Sequence, residues 1–295
     1  MPLKTYGSLF SGVGGIDLGL DSAKLECAFQ VEIDENCQQT LKYHWPHVAL
    51  YGDIKNIKGY ELPFVDLIAF GSPCQDLSTA GGKSGLLGSK SILFYEAVRV
   101  IKEMREKSNG EYPKWTIWEN VTGSLSSNSG SDFKQVLWQM DEAGALFSEW
   151  AVLDARYFGV PHRRRRIYLL SVFDPTIAGR CPDKILPIKE SSSGNLAKNT
   201  KRKQDDATEL ASCLRSGGQG GIPSSRGENL VLEESLQKVR RLTPIECERL
   251  MGWNDNHTIY RADGKENSDN TRYKMCGNGA VSPVIKWIAE KIINI

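Results

Sequence analysis

Cys74 sits directly after Pro73 in GSPCQDLS, residues 71–78, just downstream of the apolar run VDLIAF. Residues at the carboxyl end of a parallel strand face the ligand crevice of an open sheet. A cysteine there is a nucleophile candidate, although free cysteine is often a small buried hydrophobe. An acid, Glu119, sits at the end of another strand-like run, in WENV, residues 118–121. Four consecutive arginines, Arg163 to Arg166, begin the apolar run IYLL in YFGVPHRRRRIYLL. Side chains alternate along a strand, so Arg164 and Arg166 share one face and Arg163 and Arg165 the other. A run of arginines is often no more than a solvated patch. Here it is fused to an apolar strand, so one face is expected to point inward.

A second set of residues reads as a nucleoside site. In LFSGVGGIDLG the glycines Gly12, Gly14 and Gly15, with Phe10, lie between a strand-like and a helix-like segment. Glycines there let a ligand approach the backbone and meet a helix N-terminus. VEID follows at residues 31–34, where Glu32 can accept from a ribose diol, with Ile33 beside it. Asp53 and Ile54, in GDI, form the next such turn, where a carboxylate can reach an adenine amino group. These pieces alone suit either a nicotinamide cofactor or S-adenosylmethionine.

The elements that must carry these residues alternate. KTYGSLF, ECAFQVEID, VDLIAF, KWTIWEN, FSEWAVLD and RRIYLLSVF read as strands, with helical segments between most of them. Such alternation predicts an α/β fold, a mostly parallel, doubly wound sheet with helices on both faces. After residue 173 the texture changes, and 191–229 is rich in Ser, Gly, Asn, Lys and Arg. Order returns at TPIECERLMGW, where Thr243, Pro244 and Glu246 spell a helix start. The final SPVIKWIAEKIINI is an amphipathic helix that needs a surface to cover it. The expected division is a catalytic and cofactor-binding domain, 1–173 plus 274–295, and a smaller loop-rich domain, 174–273.

The 295 residues carry 37 Lys and Arg against 36 Asp and Glu, a net charge of +1. A basic stripe can hide within such a total, so nucleic acid is neither indicated nor excluded. The seven cysteines are scattered, with an odd count and no CxxC pair, which argues against a disulfide framework and against a zinc site. No apolar run approaches the ~20 residues of a membrane helix, and the N-terminus lacks a signal-peptide pattern. A cytoplasmic protein is expected.

The blocks LFSGVGGIDLG, VEID, GDI, GSPCQDLS, ENV, GVPHRRRRIYLL, RRLTPIECERLMGW and RYKMCGNGAVSPVIKWI occur in this order between residues 9 and 288. As an ordered set they resemble the cytosine-5 DNA methyltransferases of bacteria and phages. The resemblance implies the S-adenosylmethionine-dependent methyltransferase fold, S-adenosylmethionine as cofactor and double-stranded DNA as partner. It implies a 174–273 segment that recognises the target, and a loop, Gln75 to Ser91, that closes over a flipped-out base. Cys74 would add to cytosine carbon 6, Glu119 would engage nitrogen 3, and Arg164 and Arg166 match the family's paired arginines, Arg166 holding the base's carbonyl oxygen. Phe10, Glu32, Asp53, Pro73 and Asn278 match the cofactor pocket. Ile33 stands where relatives often carry an aromatic, so apolar contact replaces stacking on adenine. A monomer, associated with the nucleoid and serving beside a cognate restriction endonuclease, fits this reading. The rivals are a tRNA-methylating relative, a catalytically silent DNA-binding regulator, and a nicotinamide oxidoreductase.

Overall fold

The computed structural model describes residues 3–73, 92–186, 230–233, 238–293 and 295. Seven strands form one sheet: β1 (Thr5–Leu9), β2 (Glu26–Val31), β3 (Ala49–Tyr51), β4 (Leu67–Phe70), β5 (Trp115–Val121), β6 (Phe147–Asp154) and β7 (Arg165–Val172). Their spatial order is β3-β2-β1-β4-β5-β7-β6. The first five pair in parallel, whereas β7 runs antiparallel to both β5 and β6. The chain steps outward from β1 through β2 to β3, then crosses back to β4. A switch of direction therefore falls between β1 and β4, where an open α/β sheet has its ligand crevice. The expected fold class holds, with the antiparallel β7 as its departure from a parallel sheet.

Local chemistry sets the helices. α1 (Gly15–Ser22) follows the glycine loop. α2 (Glu35–His44) is capped by Asp34, which accepts from the Cys37 backbone N–H at 3.0 Å, and it ends just before Pro46. α3 (Ile92–Lys107) and α4 (Ser131–Glu142) cover one face of the sheet through Phe94, Val98, Ile101, Phe133 and Met140. A short α5 (Pro175–Ala178) follows β7. A two-stranded hairpin, β8 (Leu230–Glu233) with β9 (Lys238–Arg241), leads to α6 (Pro244–Leu250). The capping box read from the sequence forms there: Thr243 Oγ1 accepts from Glu246 N, and Glu246 accepts from Thr243 N at 2.6 Å. α7 (Asp269–Asn278) and α8 (Ser282–Ile292) close the chain. α8 finds its cover on α1, where Gly19 lets Ile285 approach and Ser282 Oγ donates to the Gly15 carbonyl at 2.6 Å.

The expected boundary at 273 does not survive. Cys247, Met251 and Trp253 lie in the same hydrophobic core as Ile16, Val284 and Ile285. His257 Nε2 donates to the Val13 carbonyl at 2.7 Å, and Asn267 donates to Thr40 Oγ1 at 3.0 Å. At the other end Ile177, Ile185 and Leu186 share that core, and the Ile185 and Leu186 N–H groups both donate to the Glu149 carboxylate. Residues 174–186 and 244–273 therefore belong to the main body. A buried ion pair ties the later segment together: Glu248 accepts from Arg272 at 3.0 Å and from the Thr258 N–H at 2.9 Å, with both charged groups nearly out of water. The apolar residues of 244–273 are too sparse and too unevenly spaced to show this from the sequence.

Candidate active site

A cavity of about 1140 Å³ opens at the carboxyl ends of the parallel strands. Phe10, Gly12, Glu32, Ile33, Asp53, Ile54, Pro73, Glu119, Arg164, Arg166 and Asn278 all line it. Residues from six strand ends and the last turn of α7, more than two hundred positions apart in sequence, thus meet in one place. Cys74 and the 75–91 loop lie outside the described residues, as do Lys198, Lys201, Arg202, Lys203, Arg215 and Arg226, basic residues of the loop-rich segment that could touch phosphates without specifying sequence.

On the β1–β3 side the wall is built for a close-lying ligand. Phe10 and Gly12 both have left-handed backbones, with φ of 56° and 58°. A Cβ on Gly12 would meet nothing within 4 Å, so this glycine faces open space. The Glu32 carboxylate bridges two backbone donors, Gly12 N–H at 2.7 Å and Asp34 N–H at 2.8 Å. Each carboxylate oxygen keeps lone pairs for a further donor. Burial holds the Glu32 carboxyl above its ordinary range, against the pull of those N–H groups. Asp53 caps the one-turn helix Ile54–Asn56 by accepting from Lys55 N. Ile33 is 68% exposed, a bare apolar side chain at the cavity lip.

Two expected cofactor residues have other work. Gly14 and Gly15 are absent from the cavity wall. A Cβ on Gly14 would lie 2.4 Å from the Trp45 ring, and one on Gly15 would lie 2.7 Å from the Ala280 carbonyl. The Gly14 N–H is taken by the Ser11 carbonyl at 2.9 Å. These glycines let α1 pack against α2 and the α7–α8 turn, and they shape the loop.

On the β4–β5–β7 side the polar groups converge. The strand register sets Val121 opposite Arg166, and the antiparallel direction of β7 brings its first residues to the carboxyl end of β5. Arg166 Nε stands 3.3 Å from Glu119 Oε1. This is a charge contact without hydrogen-bond alignment, and Oε1 is buried with no hydrogen-bond partner among the described residues. Gly71 leaves room for the acid, since a Cβ there would come within 3.3 Å of Glu119 Oε2. Ser72 is gripped by two neighbours on β5 that motif reading passed over: Trp118 Nε1 donates to its Oγ at 3.0 Å, and Asn120 Nδ2 donates to its carbonyl at 3.4 Å. The chain leading into Pro73 and Cys74 is thereby fixed to the strand that carries Glu119. The signal for Asn120 was its place between Glu119 and Val121, but alternation alone assigns it to the buried side without a partner.

Arg164 lines the cavity and is also tied to α7. It is 3% exposed and spans the end of α7, donating to the Gly277 carbonyl from both terminal nitrogens at 3.1 Å and to the Gly279 carbonyl at 2.6 Å. These two glycines flank Asn278. Arg164 thus positions the α7 turn, whereas Arg166 meets the acid.

The described cysteines are poor nucleophiles. Burial pushes the thiols of Cys27, Cys37, Cys181 and Cys276 up, and Cys247 up to about 12, so none is a thiolate near neutrality. Among the described residues no helix is long and apolar enough to cross a membrane.

The chain matches the family model for C-5 cytosine-specific DNA methylases over residues 5–219 and 183–294. It is 32% identical to the type II methyltransferase M2.BsuMI of Bacillus subtilis (strain 168), across 97% of this chain and 74% of that protein. Against M.HhaI of Haemophilus parahaemolyticus the identity is 27%, across 96% of this chain and 92% of that one. Two solved structures share the fold. The Entamoeba histolytica methyltransferase EhMeth superposes with a TM-score of 0.73 at 15% identity, covering 100% of this chain and 99% of that one. S. pombe Dnmt2 gives 0.66 at 18% identity, covering 97% of each.

Proposed function

The chain belongs to the C-5 cytosine-specific DNA methylases, and from that premise we propose that it methylates carbon 5 of a cytosine swung out of duplex DNA, with S-adenosylmethionine as methyl donor and Cys74 as transient nucleophile. The observation that carries this reading is the Glu119–Arg166 contact at 3.3 Å, a buried acid oxygen without a hydrogen-bond partner among the described residues, beside a guanidinium. It shares one cavity with Pro73, whose next residue is Cys74.

The cofactor's contribution is an electrophilic methyl group on a sulfonium. The cavity wall fits such an adenosine derivative: Gly12 faces open space, and Glu32 retains acceptor capacity for a ribose diol. Asp53 would meet the adenine amino group, and Phe10, Ile33 and Ile54 would supply apolar contact. Asn278 completes the wall, held by the Arg164 tie.

Cytosine carbon 5 is a weak nucleophile until a thiolate adds at carbon 6. The Cys74 sulfur forms that bond, the ring's electron pair moves towards nitrogen 3, and Glu119 in its acid form donates a proton there. Arg166 holds the base's carbonyl oxygen and keeps Glu119 aimed. With S-adenosylmethionine bound, carbon 5 would take its methyl group and leave a neutral thioether, and Glu119 would take back the nitrogen 3 proton. Loss of the carbon 5 proton to water expels the Cys74 thiolate and restores aromaticity. One difficult substitution becomes a sequence of easier steps. The target atoms are inaccessible inside a duplex, so the base must leave the stack, and the 75–91 loop is assigned its closure.

Target recognition is assigned to the variable part of 174–273 left between the two segments that pack into the main body, residues 187–243. Work beside a cognate nuclease accords with relatives named type II methyltransferases, and the protein is proposed to act as a monomer. The test uses methyl-labelled cofactor with duplex DNA and with tRNA: label is expected in DNA, and label in tRNA alone refutes the substrate. Cys74→Ser is expected to lose turnover and keep cofactor binding, and DNA containing 5-fluorocytosine to trap a covalent adduct. Persistent methylation by Cys74→Ser removes the nucleophile assignment. Binding of DNA and cofactor without any methylation by the unaltered protein would establish a silent regulator instead.

A further inference from the structure

The outward half of the arginine run has no task in the chemistry above. Burial alternates from Pro161 to Arg166: His162 and Arg164 are buried and Arg166 half-buried, whereas Arg163 and Arg165 are exposed. The outer pair alternates along the chain with Arg164 and Arg166, which line the cavity. Arg165 precedes Arg166, which pairs with Val121 across the β5–β7 ladder, and Val121, Thr122 and Gly123 line the cavity. On its other side Arg165 pairs with Asp154 at the end of β6.

That aspartate is already engaged. Its carboxylate accepts from the Arg156 N–H at 3.4 Å and lies 3.3 Å from Arg156 Nε. Among the described residues neither the Arg163 nor the Arg165 guanidinium has an ion-pair or hydrogen-bond partner. Two exposed cations beside two inward ones repel one another, and among the described residues the Glu119 carboxylate pairs with the inward Arg166. Arg165 opens β7 and Arg163 lies two residues before it, and each guanidinium is a planar fork that matches a phosphate. Two such forks suit the phosphates of a nucleic-acid strand better than a single small anion.

We propose that Arg163 and Arg165 form a phosphate clamp for duplex DNA on the catalytic body, gripping the backbone beside the nucleotide that enters the cavity. The inference rests on the methyltransferase reading and adds a DNA contact outside the variable segment. Such contacts position the duplex without reading its sequence.

The experiment measures the affinity of the full chain for a short random-sequence duplex across a salt series. Each neutralised phosphate contributes about −0.9 to the slope of log K against log salt. Arg163→Gln/Arg165→Gln is expected to flatten the slope by about 1.8. Arg163→Lys/Arg165→Lys is expected to restore it, because the contact is chiefly one of charge. Methyl transfer by the Gln variant should show a raised KM for DNA with kcat unchanged at saturation, and its thermal midpoint should not fall. An unchanged slope in a normally folded Gln variant overturns the clamp while leaving the methyltransferase reading intact. A lowered kcat at unchanged KM also overturns it, since the pair would then act on the chemistry. Failure of the unaltered protein to bind duplex DNA in a salt-dependent way overturns both readings.

Discussion

Replacing Arg164 with methionine tests whether the cofactor wall is held from the arginine strand. The side chain is 3% exposed and its donors satisfy two carbonyls, those of Gly277 and Gly279. Methionine fills much of the space left by the arginine stem but offers no donor. Hydrogen bonds from a charged group contribute about 1.5–3 kcal/mol each, and a buried carbonyl left alone costs about 1–3 kcal/mol. Removing the charge also removes its own desolvation cost, so a net loss of about 3 kcal/mol is expected. The cofactor consequence is separate. With the α7 turn untied, Asn278 loses its fixed place, and a displacement worth about 1.4 kcal/mol is a tenfold loss of affinity. Arg164→Lys should recover part of each loss, since an ammonium reaches one carbonyl but cannot fork across two. Urea unfolding reports the stability change, and calorimetric titration with S-adenosylmethionine reports the affinity. Unchanged stability and affinity in Arg164→Met refute the tie. A stability loss with affinity intact refutes the link to the cofactor wall.

Other outcomes follow from the same geometry. Gly12→Ala should lose about 1 kcal/mol from its left-handed backbone alone, whereas Gly14→Ala also drives a Cβ into Trp45 and should lose clearly more, as thermal unfolding would show. Breaking the buried pair with Glu248→Leu should cost about 3–5 kcal/mol by stranding Arg272, and adding Arg272→Met should restore much of it, a double-mutant cycle measured in denaturant. Burial, more than the His44 ring stacked on it, holds His257 down to about 4, so the unfolded chain binds the extra proton between pH 6.5 and 4. Its contribution, about 3 kcal/mol at neutral pH, is present above 6.5 and is lost as pH falls through 4. Burial holds Asp17 up to about 6, which acts oppositely, favouring the folded state below the ordinary aspartate range and losing that effect as pH rises through 6. Stability curves should therefore flatten with acid in His257→Asn and steepen in Asp17→Asn. Equal slopes in all three proteins would exclude these two groups as the source.

The individual strands were legible because each is a short apolar or alternating run whose ends coincide with the chemistry-bearing residues. Glu119 closes WENV and the arginines open RRIYLL, so alternation alone separated Arg164 and Arg166 from Arg163 and Arg165. The capping box at Thr243 and Glu246 was equally local: two residues specify it and the same two form it. α7 was not legible, because its apolar residues fall on no single stripe, and neither was the place of 244–273 in the main core.

Local sequence determined which residue types stand at which strand ends, and hence the class of chemistry. The tertiary structure decided how they divide the work. Gly12 faces the cavity while Gly14 and Gly15 face Trp45 and Ala280, a distinction set by neighbours far away in sequence. Arg166 meets Glu119 because β7 runs antiparallel to β5, and Arg164 is spent on α7 because that helix ends against it. Periodicity fixes the side of a strand on which a side chain emerges. What it meets there depends on which other elements the topology brings to that side, and no run of adjacent residues encodes it.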